Sequence, residues 1–443
     1  MKLIAFAHPL RILARSSALL ATMVAALTLT ACGGGGSDAV SAGNPASNTS
    51  VATDSFSSGV ISGFGSIILN GVRFDDSTAN VVDEDDDDNP TRSRGDLRLG
   101  MVVSVTGTSG IGTNTATGTA TAINFGSELQ GPVQSINGST ATGTPTTSTA
   151  TLGTQTLVIL GQTVLTNART LFDPADLPNG FASIRVGNAL EVHGFLDPAT
   201  NTMVATRIER KNNPNAYKII GNVASLNVGS KTFKIGSETI SYAAVPANRL
   251  NVTLANGITV RARLSTTQTT TGTWNATRVK PTNRPAENRN RVEIEGVITS
   301  YASATNFSVR GLQVNASNAS FPKGTTGLAL GAKVEVKGSV VSGVLIATSV
   351  KVESGNDDGA SGGNGTGGDT SNRHEIELHG AISSVNTASK TFALRGVNVS
   401  YAGTVVFERG TAANLINGAK VEVKGVAASG GTTVQVQKIK FED

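Results

Sequence analysis

The sequence predicts an all-β protein made of about five small antiparallel barrels in tandem. The chain contains 51 glycines, and only 4% of its residues are aromatic, a composition that favours many short strands joined by frequent turns. A set of strand-like motifs recurs five times along the chain, which is the signature of a repeat architecture. Because the chain of 443 residues is too long for one core of this type, we expect several separate modules.

Residues 1–31 have the order of an export signal. Lys2, Arg11 and Arg15 precede an apolar run from Ser16 to Leu29, and small residues close the segment. This is the arrangement of a secretory signal peptide, and it is short for a transmembrane span.

Cys32 is the only cysteine of the chain, so no intramolecular disulfide can form. With the three residues before it, Leu29-Thr30-Ala31, it resembles the bacterial lipobox. The resemblance implies that signal peptidase II cleaves before Cys32 and that the cysteine is acylated, which anchors the chain in a lipid bilayer. Gly33 stands where enterobacterial lipoproteins retained in the inner membrane have Asp, which implies sorting to the outer membrane. The face on which the protein lies, periplasmic or cell-surface, stays open.

Residues 32–57 follow as a Gly-, Ser- and Asn-rich segment, which is expected to be a flexible tether. Then the repeat begins. Each copy starts with a short strand around a glycine, as in Glu295-Gly296-Val297-Ile298, and continues with an apolar-x-apolar-x-Gly run, as in Phe307-Ser308-Val309-Arg310-Gly311. The phenylalanines at the start of this run in three copies are expected to be core residues: Phe233, Phe307 and Phe392.

A later motif places two glycines seven residues apart, as in Gly331 to Gly338 and Gly418 to Gly425. Between them, Lys333-Val334-Glu335-Val336-Lys337 alternates charged and apolar residues. A period of two predicts a strand with one buried and one solvated face. The closing glycines are expected at turns or bulges that bend the strands into a barrel. The third copy has Leu264 in place of the second glycine.

Within a copy the predicted order is two strands, a looser strand, a turn or short helical segment, and a closing hairpin. Five strands with a break after the third favour a small OB-like barrel, and an SH3-like barrel or an open meander remains the alternative. The predicted segments are a signal peptide (1–31), a tether (32–57), β-modules at 58–126, 127–210, 217–280, 292–353 and 375–442, and a Gly-rich linker (354–374).

The five copies resemble the repeats of domain of unknown function 5666, which occur in tandem in exported bacterial lipoproteins. The stretch from Val60 to Phe74, VISGFGSIILNGVRF, is especially similar to them. The resemblance covers about residues 58–442, and the second copy departs from it by a Thr-rich insertion at 140–151. It supports architecture and location, and because the family has no established activity it implies no catalytic residue.

The charge of the chain is nearly balanced but unevenly distributed. Without Lys2, Arg11 and Arg15, 33 of the 36 basic residues remain against 32 acidic ones, so no bulk attraction to nucleic acid is expected and nucleic acid is not an expected partner. Residues 54–126 contain ten acidic and four basic residues, whereas residues 211–291 contain two acidic and twelve basic ones. This asymmetry is either a functional patch or drift among solvated residues.

An acidic run is the strongest chemical anomaly of the sequence: Asp83, Glu84, Asp85, Asp86, Asp87 and Asp88. Oxygen-rich clusters bind Ca²⁺, but Asp88 and Arg94 occupy the positions where an EF-hand loop needs Gly and Glu. The alternatives are a solvated acidic loop and a weak calcium site, and no other cofactor is expected.

Trp274 in the basic third copy is the one candidate stacking platform for an anionic polymer, with Arg261, Arg263 and Arg278 near it in sequence. The alternative is a structural tryptophan. His193 and His379 fall on predicted solvated strand faces, so surface positions are expected for both. Neither a catalytic triad nor a zinc set is recognisable, so the sequence does not suggest an enzyme.

The sequence therefore predicts a non-enzymatic, lipid-anchored lipoprotein of the outer membrane whose β-barrel modules act in binding or as a scaffold. A polysaccharide- or calcium-binding module of a larger envelope assembly and a surface adhesin are the alternatives. The expected partners are the bilayer, through Cys32, and a polysaccharide or another envelope protein.

Overall fold

The computed structural model describes residues 53–86, 89–111, 116–140, 154–197, 199–282, 288–353 and 375–442. Cys32, the signal segment, Asp87, Asp88, residues 141–151 of the Thr-rich insertion and the Gly-rich linker at 354–374 lie outside these residues. In the described part of the chain, no helix has the length and apolarity needed to cross a membrane.

The first three modules contain nineteen strands between them. Module 1 contains β1 (Thr53–Phe64), β2 (Ile67–Leu69), β3 (Val72–Asp75), β4 (Asn80–Asp83), β5 (Thr91–Arg92), β6 (Val102–Ile111) and β7 (Ala116–Phe125). Module 2 contains β8 (Leu129–Ile136), β9 (Gln155–Ile159), β10 (Gln162–Thr166), β11 (Leu171–Phe172), β12 (Ala189–Asp197) and β13 (Thr202–Arg210). Module 3 contains β14 (Tyr217–Asn222), β15 (Ala224–Asn227), β16 (Thr232–Ile235), β17 (Glu238–Ser241), β18 (Thr259–Gln268) and β19 (Trp274–Pro281).

The last two modules follow the same plan. Module 4 contains β20 (Arg289–Ser303), β21 (Asn306–Val309), β22 (Leu312–Asn315), β23 (Lys333–Val341) and β24 (Val344–Glu353). Module 5 contains β25 (Ile376–Asn386), β26 (Thr391–Leu394), β27 (Val397–Ser400), β28 (Val406–Glu408), β29 (Lys420–Ala427) and β30 (Val434–Phe441). Short 3-10 helices precede the closing hairpins of four modules at Arg94–Asp96, Gly180–Ser183, Ala247–Arg249 and Ala412–Asn414.

Each module is a closed barrel, and module 5 illustrates the pairing. β25 pairs antiparallel with β26 and with β29, β26 pairs antiparallel with β27, and β29 pairs antiparallel with β30. The parallel pairing of β27 with β30 closes the ring. If β25, β26, β27, β29 and β30 are numbered 1 to 5 along the chain, their order around the ring is 1-2-3-5-4. This is the strand order of an OB barrel. The all-β, OB-like prediction is confirmed, and an open meander does not have this parallel contact.

The third strand of each barrel differs from the one that the sequence predicts. It follows directly on the glycine turn after the second strand, as β22 follows β21, and is only four or five residues long. The looser strand that the sequence predicts here is a separate strand that follows the third one. In module 5 it is β28, which pairs with β30 next to β27. In module 4 it is reduced to a single bridge between Ser320 and Ser349.

The glycines seven residues apart have different physical roles. Gly331 adopts a φ of +78° in the turn before β23, a left-handed conformation that favours glycine. At Gly338 the register with β24 shifts by one residue, and a Cβ there would overlap the carbonyl oxygen of Ile346. The predicted turns and bulges are therefore confirmed at these positions. In module 3 the bulge persists at Leu264.

The barrel cores consist of the inward-facing side chains of strands in which apolar and polar residues alternate. Val334 and Val336 are fully buried, and Phe233, Phe307 and Phe392 are at most 3% exposed. Both predictions are confirmed. One apolar cluster unites the interiors of modules 1 and 5, and a second unites those of modules 2 and 3.

The modules are joined by their first strands. β1 runs parallel to β20, with Ser55 opposite Arg291, and its other end runs parallel to β25, with Gly63 opposite Glu377. β14 touches β8 through Lys218 and Gln130. The five modules consequently belong to one compact unit, whereas the sequence predicted several separate modules.

β1 also corrects the predicted tether, since it begins at Thr53 and includes residues 53–57. This polar stretch is held by backbone pairing on both edges, to β6 and to β20. Ser55 and Ser57 are buried between these neighbours. The segment is stabilised by backbone pairing within module 1 and with module 4, and Phe56, which packs against the core of module 4, is its only large apolar side chain. It therefore has no alternating apolar pattern in the sequence.

Candidate functional site: the charged junction between modules

Outward-facing polar residues of modules 1 to 4 meet at one place, here called the charged junction. It comprises Glu84, Asp85, Glu128, Glu191, His193, Lys218, Arg261, Lys280 and Arg310. Glu84 and Asp85 lie in the turn after β4, and Glu128 lies between β7 and β8. The others lie on strands whose opposite faces form barrel cores, except Arg310, which lies in the turn between β21 and β22.

Lys218 connects three modules. Its Nζ donates to Asp85 Oδ2 at 2.9 Å and to Ser127 Oγ at 3.0 Å, and it lies 3.4 Å from Glu191 Oε1. Burial alone would raise the pKa of Asp85, but the Lys218 ammonium and the Arg261 guanidinium outweigh it and hold this pKa below its ordinary value. Burial is likewise outweighed at Glu191, where Lys218 and Lys211 lower the pKa to about 2. These charges are buried but mutually compensated.

Glu128 is the opposite case. Its Oε1 lies 3.7 Å from Arg261 Nη2 and 3.6 Å from Arg310 Nη2, both longer than a hydrogen bond. Burial therefore dominates and raises the pKa of Glu128 to about 7, although both guanidinium groups favour its charged form. Among the described residues, Glu128 Oε2 has no hydrogen-bond partner.

His193 lies beside Glu128 with 1% exposure, which corrects the expected surface position. Its Nδ1 is 4.0 Å from Glu128 Oε2, and neither ring nitrogen has a partner in the described part of the chain. Burial lowers the pKa of His193, so the ring is neutral near pH 7 and the contact is not an ion pair. The strand face is solvated in an isolated barrel, but here a neighbouring module covers it.

The acidic loop of module 1 is covered by the basic third module. Lys280 Nζ donates to the Glu84 carbonyl oxygen at 2.7 Å, Arg263 Nη1 donates to the Asp85 carbonyl oxygen at 3.3 Å, and Arg261 Nη1 lies 3.6 Å from Glu84 Oε2. Burial and the nearby Arg261 charge lower the pKa of Lys280 to about 8. The charge asymmetry of the sequence is thus an intramolecular complementarity between modules 1 and 3.

The remaining described members of the acidic run are also paired. Arg92 Nη2 donates to Asp83 Oδ2 at 3.1 Å and to Asp86 Oδ2 at 2.7 Å. Burial raises the pKa of Asp83. A calcium ion bound by these carboxylates would have to displace the cations that now contact them, and calcium binding by the loop stays a prediction.

Trp274 lies in the core of module 3, with 5% exposure. Its indole Nε1 donates to Glu238 Oε2 at 2.7 Å, and its ring meets Tyr217 edge to face at 5.7 Å between centroids. This is the structural alternative considered for Trp274, since a buried indole offers no face to an external ligand. Arg261 and Arg263 point instead to the acidic loop of module 1. Arg278 lies next to them on β19, where it is opposite Arg263 of β18. Lys280 of β19 is likewise opposite Arg261.

A second polar contact joins modules 1 and 5. His379 Nε2 lies 2.7 Å from Glu377 Oε1, and Arg73 of module 1 contacts both side chains. Glu377, His379 and Glu422 each place one possible metal-ligating atom within 4.8 Å of the others. Arg73 already occupies this site and Lys440 pairs with Glu422 at 2.9 Å, so the arrangement is that of an ion-pair network. The expected surface position of His379 is corrected, because its side chain is only 14% exposed.

A cavity of about 30 Å³ adjoins the charged junction between modules 1 and 4, enough for one or two water molecules. Its walls include Glu128, Arg261 and Arg310. No motif of the sequence predicts this site. The charge asymmetry between the first and third copies was the signal that pointed towards it.

Three regions of the chain match the family model described as "Domain of unknown function (DUF5666)": residues 147–209, 295–351 and 379–439. They fall in modules 2, 4 and 5, so the chain contains tandem repeats resembling this family, as predicted. The second copy, despite its insertion, is among them, whereas modules 1 and 3 share the barrel topology outside the matched regions.

No curated protein matches the chain. A solved structure titled "drosophila Unr CSD456" is 14% identical, covering 51% of this chain and 96% of that chain, with a TM-score of 0.13. At this TM-score the likeness supports no inference about the present protein.

Proposed function

We propose that the protein is a non-enzymatic envelope lipoprotein, anchored in the outer membrane through acylated Cys32, whose five barrels form a rigid scaffold. Its partners are other envelope proteins or polysaccharides that contact the outer faces of the modules. The observation that carries the scaffold part of this proposal is the buried ion pair of Lys218 with Asp85, which ties module 3 to module 1. Buried, compensated charges of this kind favour one relative arrangement of the modules.

The lipid anchor is supported by the lipobox-like Leu29-Thr30-Ala31-Cys32 at the end of a signal-like segment. Cell fractionation of wild type and of the Cys32→Ala variant tests it. We expect the wild-type protein in the membrane fraction and the variant in the soluble fraction. A variant that remains membrane-bound in equal amount would refute the anchor and leave the modules unaffected.

The scaffold role is tested separately on intact cells. Chemical crosslinking should capture the same envelope protein repeatedly, and protease shaving should reveal whether the modules are accessible from outside. Glycan-array binding without a crosslinked protein partner would instead favour the polysaccharide-binding alternative. An adhesin would require the modules to be cleaved by external protease.

A further inference from the structure

The cavity beside the charged junction has one charged wall and otherwise mostly apolar walls. Phe56 and Val102 of module 1 and Leu312 of module 4 contribute apolar surface, and Arg261 and Arg310 face them from modules 3 and 4. The cavity has room for one or two water-sized groups, which is the size of water molecules or of a small ion.

The two guanidinium groups are incompletely satisfied. Arg310 Nη1 donates to Ser58 Oγ at 2.9 Å, but its Nη2 lies 3.6 Å from Glu128 Oε1. Arg261 Nη1 and Nη2 approach the carboxylates of Glu84 and Glu128 only to 3.6 and 3.7 Å, both longer than a hydrogen bond. A guanidinium has five N–H donors, and leaving a buried donor unpaired costs free energy. These side chains therefore lack an acceptor at the cavity.

We propose that this cavity binds one small monovalent inorganic anion, of the size of chloride, between Arg261 and Arg310. A cation is disfavoured at this position because it would lie against the guanidinium groups of both Arg261 and Arg310. A polyatomic or divalent anion is disfavoured because the volume is small and the opposite wall is apolar.

Glu128 is compatible with such an anion because its charge is not permanent. With a pKa of about 7, it is about half protonated at neutral pH, and its protonated form leaves the two guanidinium groups short of negative charge. The charged groups that face it are Arg261 from β18, Arg310 from the β21–β22 turn, His193 from β12, and Glu84 and Asp85 from the turn after β4. Anion binding should therefore strengthen as the pH falls from 8 to 6, since burial keeps His193 neutral over most of this range, and Lys280, whose pKa is lowered to about 8, gains positive charge within it.

The bound anion would contact modules 3 and 4 at once and would sit beside Glu128 of module 2. This goes beyond the scaffold role, since the packing of the modules would then depend on the halide concentration around the protein.

The test is the melting temperature of the full chain in sodium chloride, sodium bromide and sodium gluconate at one fixed ionic strength. We expect chloride and bromide to raise it saturably, and gluconate, which is too large for the cavity, to leave it unchanged. Equal melting temperatures in all three salts at pH 6 would overturn the proposal.

The Arg310→Met variant should bind halide about tenfold more weakly or worse, because a hydrogen bond to a charged group is lost. Its matched control is Arg395→Met at the same repeat position of module 5, where the Nε donates to the His379 carbonyl oxygen at 2.7 Å instead. The control should keep the full halide effect. An equal loss in both variants would show a general salt effect and refute the site.

A bromide-soaked crystal of the wild-type protein tests anion binding directly, even if the Arg310→Met variant does not fold. An anomalous peak between Arg261 and Arg310 is the expected result. Density there without anomalous signal would identify water and overturn the proposal.

Discussion

Lys218 Nζ in β14 lies 2.9 Å from Asp85 Oδ2 in the turn after β4, so a side chain of module 3 neutralises a carboxylate of module 1. The side chains of this pair are 13% and 7% exposed. The two residues are separated by 133 positions in the chain and belong to different barrels. The pair therefore contributes to the packing of the modules against each other and not to the fold of either module.

The Lys218→Met variant should be destabilised by about 3 kcal/mol, because Asp85 would keep a buried charge without its closest partner. Chemical denaturation measures the change in the free energy of unfolding. The double variant Asp85→Asn with Lys218→Met should recover part of the loss.

A matched control is Lys438→Met, which removes an ion pair of 2.7 Å with Glu408 whose side chains are 37% and 42% exposed. It should cost less than about 1 kcal/mol, since solvent screens such pairs. If both lysine variants lose the same stability, the buried pair does not have the role assigned to it.

Glu128 should lower the stability of the folded protein as the pH rises. Its pKa of about 7 lies above the ordinary value of 4.5, so the folded protein holds a proton that the unfolded chain releases between these values. Stability from this residue is present below about pH 4.5 and is lost as the pH rises to 7. The free energy of unfolding of the Glu128→Gln variant, relative to that of wild type, should therefore increase by about 3 kcal/mol between pH 4.5 and pH 8. Denaturation at each pH measures this difference.

Glu191 is the control of opposite sign. Its pKa of about 2 lies below 4.5, so its contribution is present above pH 4.5 and is lost as the pH falls towards 2. The Glu191→Gln variant should be less stable than wild type at pH 7, by about 3 kcal/mol, and the difference should shrink in acid. Parallel pH profiles for both glutamine variants would contradict this assignment.

Gly338 tests the bulge in β23. In Gly338→Ala the new Cβ would overlap the carbonyl oxygen of Ile346, and the hairpin would have to shift. We expect a loss of about 2 kcal/mol or more in the free energy of unfolding. Gly343→Ala in the same hairpin has open space around its Cβ but a φ of +79°, and should cost about 1 kcal/mol. Equal effects would mean that the close approach is relieved without cost.

Trp274→Ala should reduce stability by about 3 to 5 kcal/mol, because it removes a buried indole and the donor to Glu238. Tyr301→Ala, at a 38% exposed aromatic, is the control and should change stability by less than about 1 kcal/mol. Binding to anionic glycans, measured where Trp274→Ala is still folded, should be unchanged. Weaker glycan binding at undiminished stability would restore the stacking hypothesis.

The amino-acid sequence determined the unit of construction. The alternation in Lys333–Lys337, the glycines at 331 and 338, and the inward phenylalanines each follow from local rules, because strand pleating and turn conformation act over a few neighbouring residues. Their fivefold repetition made the barrel recognisable. The short third strand was missed because four residues after a tight turn carry too little pattern.

The sequence could not determine which outward polar residues are buried, and only the tertiary structure decided this. His193 and Lys337 occupy equivalent places on equivalent strands, yet His193 is fully buried and Lys337 is exposed. The difference depends on which module packs against each barrel, and that contact joins residues far apart in the chain. The acidic and basic halves of the charged junction were visible in the sequence as separate runs, but their pairing depends on where the folded barrels bring them together.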